Sequence, residues 1–213
     1  VSGYSSPVNE PGQQIALPPY DEVMASRDTN KDGRLTREEV DDATREIFIY
    51  VDLDRDQVLS RSEWAKNVAG MAAENGLLAF RLGGKGDLTR EGLKWKHRRS
   101  IPQLPTTLLY RGVLYMINDG GILTTLDPAT GTVLKQGRLR EAVDQYYASP
   151  VAADGKVFFV SRTGIASVLK AGGDQEVLAV ADFDEEVVAT PAIADGRVFL
   201  RTKSALYCFG SSR

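Results

Sequence analysis

The chain has one cysteine, Cys208, and one histidine, His97, in 213 residues, and this scarcity removes several kinds of chemistry. A lone thiol forms no internal disulfide, so cysteine usage gives no redox compartment. A lone histidine with no partner Cys or acid spacing argues against a transition-metal site and against a nucleophile–histidine–acid triad. No apolar run approaches the ~18 residues that a membrane-spanning helix needs. Neither sign of charge prevails. There are 26 Lys and Arg against 29 Asp and Glu, a net charge of −3, so neither nucleic acid nor an anionic membrane is implied as a partner. The sequence has no initiator Met and no signal-peptide pattern. It opens at Val1 in what reads as mid-strand and stops soon after another strand, which suggests a piece of a longer protein. Gly83-Gly84-Lys85-Gly86-Asp87 lacks the spacing of a phosphate loop or a dinucleotide fingerprint and reads as a turn. The basic run Lys94–Arg99 is too short for a nucleic-acid surface and reads as a strand with one core residue, Trp95.

The charge that is present is unevenly placed. Residues 21–63 hold thirteen acids and seven bases, whereas the rest of the chain carries a small basic excess. Within the acidic stretch, residues 28–39 place side-chain oxygens at loop positions 1, 3 and 5 (Asp28, Asn30, Asp32) and glycine at 6 (Gly33). Position 7 supplies the Arg34 carbonyl, position 9 is Thr36, and position 12 is Glu39. Residues 52–63 repeat this with Asp52, Asp54 and Asp56, the Val58 carbonyl, Ser60 and Glu63. Ca²⁺ takes six to eight oxygens at about 2.3–2.6 Å, and a twelve-residue turn with oxygens on alternate residues aims them at one point. Both stretches therefore fit the EF-hand calcium loop, and one or two Ca²⁺ ions are the expected cofactor. One position departs: Gln57 stands where glycine would turn with positive φ, at a cost of about 1 kcal/mol. The second loop has four carboxylates to the first loop's three.

Around the loops the apolar residues recur at helical spacing. Pro18 and Pro19 suit a helix start, followed by Tyr20, Val23 and Met24. Val40, Ala43, Ile47, Phe48 and Val51 predict one shared helix between the loops, and Trp64, Val68 and Met71 predict a third. The loops start 24 residues apart, which leaves room for a single intervening helix. Leu35 and Leu59, each at position 8 of its loop, are placed to form a short bridge, although the spacing does not decide whether they do.

After about residue 76 the period changes from 3.6 to 2. β-rich runs appear at Leu77–Leu82, Leu93–His97, Gly112–Ile117, Ile122–Leu126, Lys156–Val160, Ala166–Leu169, Val177–Val180, Arg197–Arg201 and Ala205–Phe209. Asp127-Pro128-Ala129-Thr130-Gly131 reads as a type I turn closed by a left-handed glycine. Three segments align on Gly112, Gly155 and Gly196, 43 and 41 residues apart, each preceded by a hydroxyl residue (Thr106, Ser149, Thr190). A period of about 40–45 residues with several strands per unit marks a β-propeller blade, with a sandwich as the alternative. About three blades cannot close a ring, since propellers use about four to eight. The order of segments makes the helical stretch an insertion in a blade's hairpin loop. Tyr146, Tyr147 and Cys208 read as packed in blade strands.

The units Ser149–Val160 (SPVAADGKVFFV), Gly120–Gly131 (GGILTTLDPATG) and Ala205–Gly210 (ALYCFG) resemble the PQQ-like β-propeller repeat of bacteria over residues 77–210. The wider superfamily includes quinoprotein dehydrogenases as well as outer-membrane assembly lipoproteins that bind no quinone and act as interaction scaffolds. Residues 20–72 resemble the EF-hand family. The resemblance implies a fold that is α+β by segment: an end of a blade strand and loop at 1–17, a tandem EF-hand segment at 18–75 and a partial propeller at 76–213. It implies an exported, extracytoplasmic protein whose protein partner, if it has one, meets the propeller face or the helical insert. The dehydrogenases' vicinal Cys–Cys pair is absent, since Cys208 stands alone, and no catalytic acid can be carried over. The first reading is therefore a non-enzymatic calcium-binding module in which PQQ is not expected. The alternative is a fragment of a quinone-dependent dehydrogenase whose active site lies mainly in blades outside this chain.

Overall fold

The repeated β-rich segments fold as antiparallel meanders. Residues 2–3, 14–88, 91–140 and 142–210 are described in the computed structural model, so most of the expected loop at 1–17 lies outside the described residues. The chain divides into two compact units, Ser5–Glu74 and Val1–Tyr4 with Asn75–Arg213.

Among the described residues the second unit holds four antiparallel sheets. The first is β1 (Ser2–Gly3), β2 (Gly76–Phe80) and β3 (Leu93–His97). The next is β4 (Leu108–Tyr110), β5 (Val113–Ile117), β6 (Ile122–Leu126) and β7 (Val133–Arg138). The third repeats it as β8 (Val151–Ala153), β9 (Lys156–Val160), β10 (Ile165–Lys170) and β11 (Val177–Asp182). The last is β12 (Ala192–Ala194), β13 (Arg197–Arg201) and β14 (Leu206–Phe209). The antiparallel pairing of β1 with β2 brings residues 2–3 against 76–77, so the helical segment is inserted between two neighbouring strands.

The aligned glycines close two-residue hairpins. Arg111-Gly112, Asp154-Gly155 and Asp195-Gly196 all have positive φ at both positions, the turn whose twist matches the strands it joins. Side chains alternate between the two faces of a strand, and the two four-stranded sheets use both. Tyr115 and Ile117 of β5 pack with Val157, Phe159 and Leu169 of the following sheet. Met116 and Leu126 face the other way, against Leu77 and Trp95. Val160 of β9 faces away from Val157 and Phe159 and joins Leu200 and Tyr207 of the last sheet. The sheets are thus stacked face to face in series, as propeller blades are.

The hydroxyls at the head of each repeat link the sheets. The Thr106 N–H donates to Ser149 Oγ (2.9 Å), and the Ser149 N–H donates to Thr190 Oγ1 (3.0 Å). A second link also repeats. Asp144 accepts from the Thr163 N–H, and 41 residues on Glu185 accepts from the Ser204 N–H. Burial raises the Asp144 carboxyl, but the bonds from Thr163 outweigh it and hold the group below the usual range.

Two expectations change. The strands β7 and β11 are longer or wholly unforeseen because every residue of β11 and nearly all of β7 is exposed, leaving no alternation to read. Tyr146 is buried but lies between strands, donating to the Ala142 carbonyl (3.0 Å), and Cys208 sits in β14 with its thiol exposed.

Among the described residues the first unit has four helices where three were expected: α1 (Tyr20–Arg27), α2 (Asp42–Glu46), α3 (Phe48–Val51) and α4 (Arg61–Ala72). The shared helix is broken at Ile47, whose φ of −100° and ψ of 7° lie outside the helical well. It also starts late, because the Asp41 carboxylate takes the Thr44 N–H (2.8 Å) and caps the chain there. Three β-branched residues in 47–51 add little helical preference to hold the two pieces together. The apolar stripe still does its expected work. Val23, Leu35, Val40, Phe48, Val51, Leu59 and Trp64 form one buried cluster, and the Trp64 indole N–H donates to the Pro18 carbonyl.

Two glycines with nearly the same φ test this account of the sheets. At Gly112 (φ +74°) an added Cβ meets nothing within 4 Å, whereas at Gly121 (φ +72°) it would lie 2.3 Å from the Ala142 carbonyl oxygen. Gly112→Ala should cost only the left-handed backbone, about 1 kcal/mol. Gly121→Ala should cost about 1–3 kcal/mol more, from overpacking against backbone. Thermal denaturation of the two variants side by side checks the difference.

Candidate metal centre

Both loops close on their first carboxylate. In residues 28–39, Asp28 accepts from the N–H groups of Asp32 (3.1 Å) and Gly33 (3.0 Å). In residues 52–63, Asp52 Oδ2 accepts from Gln57 N–H (3.0 Å). Further round, Asp32 accepts from Arg34 N–H and Asp56 from Val58 N–H, both at 2.8 Å. These bonds require a left-handed residue at position 6, and Gly33 (φ 79°) and Gln57 (φ 69°) both supply it. The strain foreseen at Gln57 is therefore present and tolerated. Position 4 is left-handed as well, in Lys31 and Arg55. Sequence reasoning missed this, since neither residue type signals it. The loops meet back to back: Thr36 and Val58 form an antiparallel bridge, and the Leu59 N–H donates to the Leu35 carbonyl (2.8 Å).

The second loop gathers its acids. One carboxylate oxygen from each of Asp52, Asp54 and Glu63 lies within 4.8 Å of the other two. Oxygens on a shell of about 2.4 Å radius are separated by at most about twice that radius, so the trio fits around one Ca²⁺. Asp52 is 6% exposed and Glu63 is 5% exposed. None of the three has an ion pair among the described residues. Asp52 Oδ1 is buried with no hydrogen-bond partner, and such an orphan calls for a ligand. These features fit a bound cation. Asp56 stays exposed and is not one of the trio.

The first loop does not bring three carboxylates together among the described residues. Asp28, Asn30 and Asp32 are engaged with one another and with backbone N–H groups. Glu39 Oε2 accepts from the Thr36 N–H and hydroxyl, while its Oε1 is buried and unpartnered.

The position-12 acid of the second loop is held by helix α4. Ser60 caps the helix in a reciprocal box, with Glu63 Oε2 accepting from the Ser60 N–H (2.9 Å) and hydroxyl (2.7 Å). Glu63 Oε1 accepts from the Leu53 N–H (2.7 Å), so one side chain ties the start of the loop to its end. Burial raises the Glu63 carboxyl, but the bonds from Ser60, Leu53 and Asp54 outweigh it and leave the group below its usual range. A carboxyl lowered in the folded state adds stability above its ordinary value and loses it as the pH falls through the lowered one. With calcium chelated, the helical unit should therefore lose stability as the pH drops below about 4. Glu63→Gln should flatten that slope in an acid titration followed by helical circular dichroism.

Comparison with known proteins adds the scaffold. A family model described as outer membrane protein assembly factor BamB matches residues 42–211. BamB from Moraxella catarrhalis is 18% identical, with 55% of this chain and 36% of that chain covered and a TM-score of 0.47. The quinohemoprotein alcohol dehydrogenase ADHIIG from Pseudomonas putida HK5 is 15% identical, covering 46% and 16%, with a TM-score of 0.40. The quinohemoprotein alcohol dehydrogenase from Comamonas testosteroni is 15% identical, covering 47% and 17%, also with a TM-score of 0.40. This chain thus spans about a third or less of the length of these solved proteins. No curated protein matches it.

Proposed function

The chain belongs to the outer membrane protein assembly factor BamB family, and from that premise we propose that it is a non-catalytic, calcium-binding scaffold of the cell exterior. On this reading residues 18–75 are a tandem EF-hand segment set into a partial propeller of residues 76–213. The ligands are Asp52, Asp54, Asp56, the Val58 carbonyl, Ser60 and Glu63 in the second loop. In the first they are Asp28, Asn30, Asp32, the Arg34 carbonyl, Thr36 and Glu39. The observation that carries the reading is the convergence of Asp52, Asp54 and Glu63 beside the unpartnered Asp52 Oδ1. The donors are all oxygen and a full set exceeds six, which favours the roomy shell of Ca²⁺ over the strict octahedron of Mg²⁺. The ion's role is structural. It neutralises carboxylates that the fold has packed together, and at a hundredfold excess over Kd it adds roughly 2.7 kcal/mol to the stability of the bound state. A protein partner then meets a rigid propeller face or the stiffened insert.

Isothermal calorimetry with Ca²⁺ on the chelator-treated full chain tests this. Saturable binding should appear and should be weakened at least about tenfold, or ~1.4 kcal/mol, by Glu63→Gln. Absence of heat in the unmodified protein, with no change in thermal stability on adding Ca²⁺, removes the reading.

A further inference from the structure

The two loops share one sequence pattern, and both position-12 glutamates clasp the N–H and hydroxyl of position 9, yet they stand on different backbone. Glu63 lies in the first turn of α4, buried and aimed by the Ser60 capping box. Glu39 lies ahead of any helix, in a turn that ends at the Asp41 cap of α2. The carbonyls of that turn are occupied. The Arg45 guanidinium donates to Arg37 O (3.1 Å), Glu38 O (3.2 Å) and Val40 O (3.0 Å), and it is steadied by Asp42 at 2.9 Å. An α-helix bonds each carbonyl to the N–H four residues on. Winding residues 37–41 onto α2 would thus need Arg37 O for Asp41, Glu38 O for Asp42 and Val40 O for Thr44. These are the three carbonyls that Arg45 holds, and the Thr44 N–H is already taken by the Asp41 carboxylate.

Resting on the calcium reading above, we propose that the loops fill in order, 52–63 first and 28–39 second, and that Arg45 is the positioning residue that sets the gap. The second loop has its acids assembled and its position-12 glutamate already on a helix. The first loop must rebuild the 37–41 turn as helix, which displaces the guanidinium from its carbonyls. The Thr36–Val58 bridge and the Leu59–Leu35 hydrogen bond join the loops, and both leucines are 0% exposed. Order in the filled loop therefore props the empty one, and the second ion winds the turn.

Calcium titration of the full chain, read by calorimetry and by helical circular dichroism, tests the order. The unmodified protein should bind in two steps, with the gain in helix confined to the weaker. Glu63→Gln should abolish the tighter step and Glu39→Gln the weaker. Arg45→Met, which keeps the stem and helix preference, should tighten the weaker step by about three- to tenfold, as expected for releasing a few modest hydrogen bonds, and leave the tighter step in place. Arg45→Lys keeps the charge but lacks the fork, and it should reproduce most of that gain, separating the latch from simple charge removal. Loss of the tighter step in Glu39→Gln, or a weaker step unmoved or loosened by both Arg45 variants, overturns the proposal and leaves calcium binding standing. No binding in the unmodified protein removes both.

Discussion

Several backbone N–H groups outside helices and strands are satisfied in this chain by carboxylates. Asp28 and Asp52 collect them at the mouths of the two acidic loops, Asp127 takes the Ala129 and Thr130 N–H groups in the turn before β7, and Asp144 and Glu185 take them between sheets. A charged acceptor makes roughly twice the hydrogen bond of a neutral one, and the bond persists in irregular backbone where ladders cannot form. The cost is a concentration of negative charge. In the sheets some acids have a guanidinium close by, as Arg162 does for Glu186 at 2.8 Å. In the second loop three acids converge, none with an ion pair among the described residues. The same interaction that shapes the turn therefore leaves a charge for an ion to balance.

Much of the scaffold was legible because its signals are local and repeated. Alternation gave β3, β6, β9 and β13 to the residue, since each has one or both faces in a core. The glycines at 112, 155 and 196 marked hairpins because only a turn with positive φ at both positions joins strands so closely. The hydroxyls at 106, 149 and 190 were visible as a pattern, but their role was not. A hydrogen bond between sheets joins residues 41 or 43 positions apart, and no local rule predicts it. Of the exposed outer strands, β7 was missed and β11 was read two residues short for the opposite reason, as burial is what writes a period into sequence.

The loops show the same division. Ligand spacing picked out Asp52, Asp54 and Glu63, which the fold brings together, along with Asp56 and the acids of the first loop, which it does not, and the strain at Gln57 was foreseen from one missing glycine. What spacing could not reveal was that two nearly identical loops would set position 12 on different backbone. That difference comes from Ser60 capping α4 directly before Glu63, and from Asp41 capping α2 only after Glu39. Arg45 gave no sign of its part, because a basic residue on a short helix usually faces water. Its three carbonyl contacts depend on the late start of α2 at the Asp41 cap.

The links at Thr106, Ser149 and Thr190 point in one direction, with every amide reaching forward to the hydroxyl of the following sheet. Ser149 is acceptor to the unit before it and donor to the unit after it. An extra copy spliced between two others would restore the chain of bonds without leaving either group stranded, and deletion of a whole unit would do likewise. Repeat proteins whose neighbours interact by one recurring contact gain or lose units with nearly additive energetics. Ring size in this architecture is therefore free to drift by duplication, and geometry alone, through closure, decides where it stops.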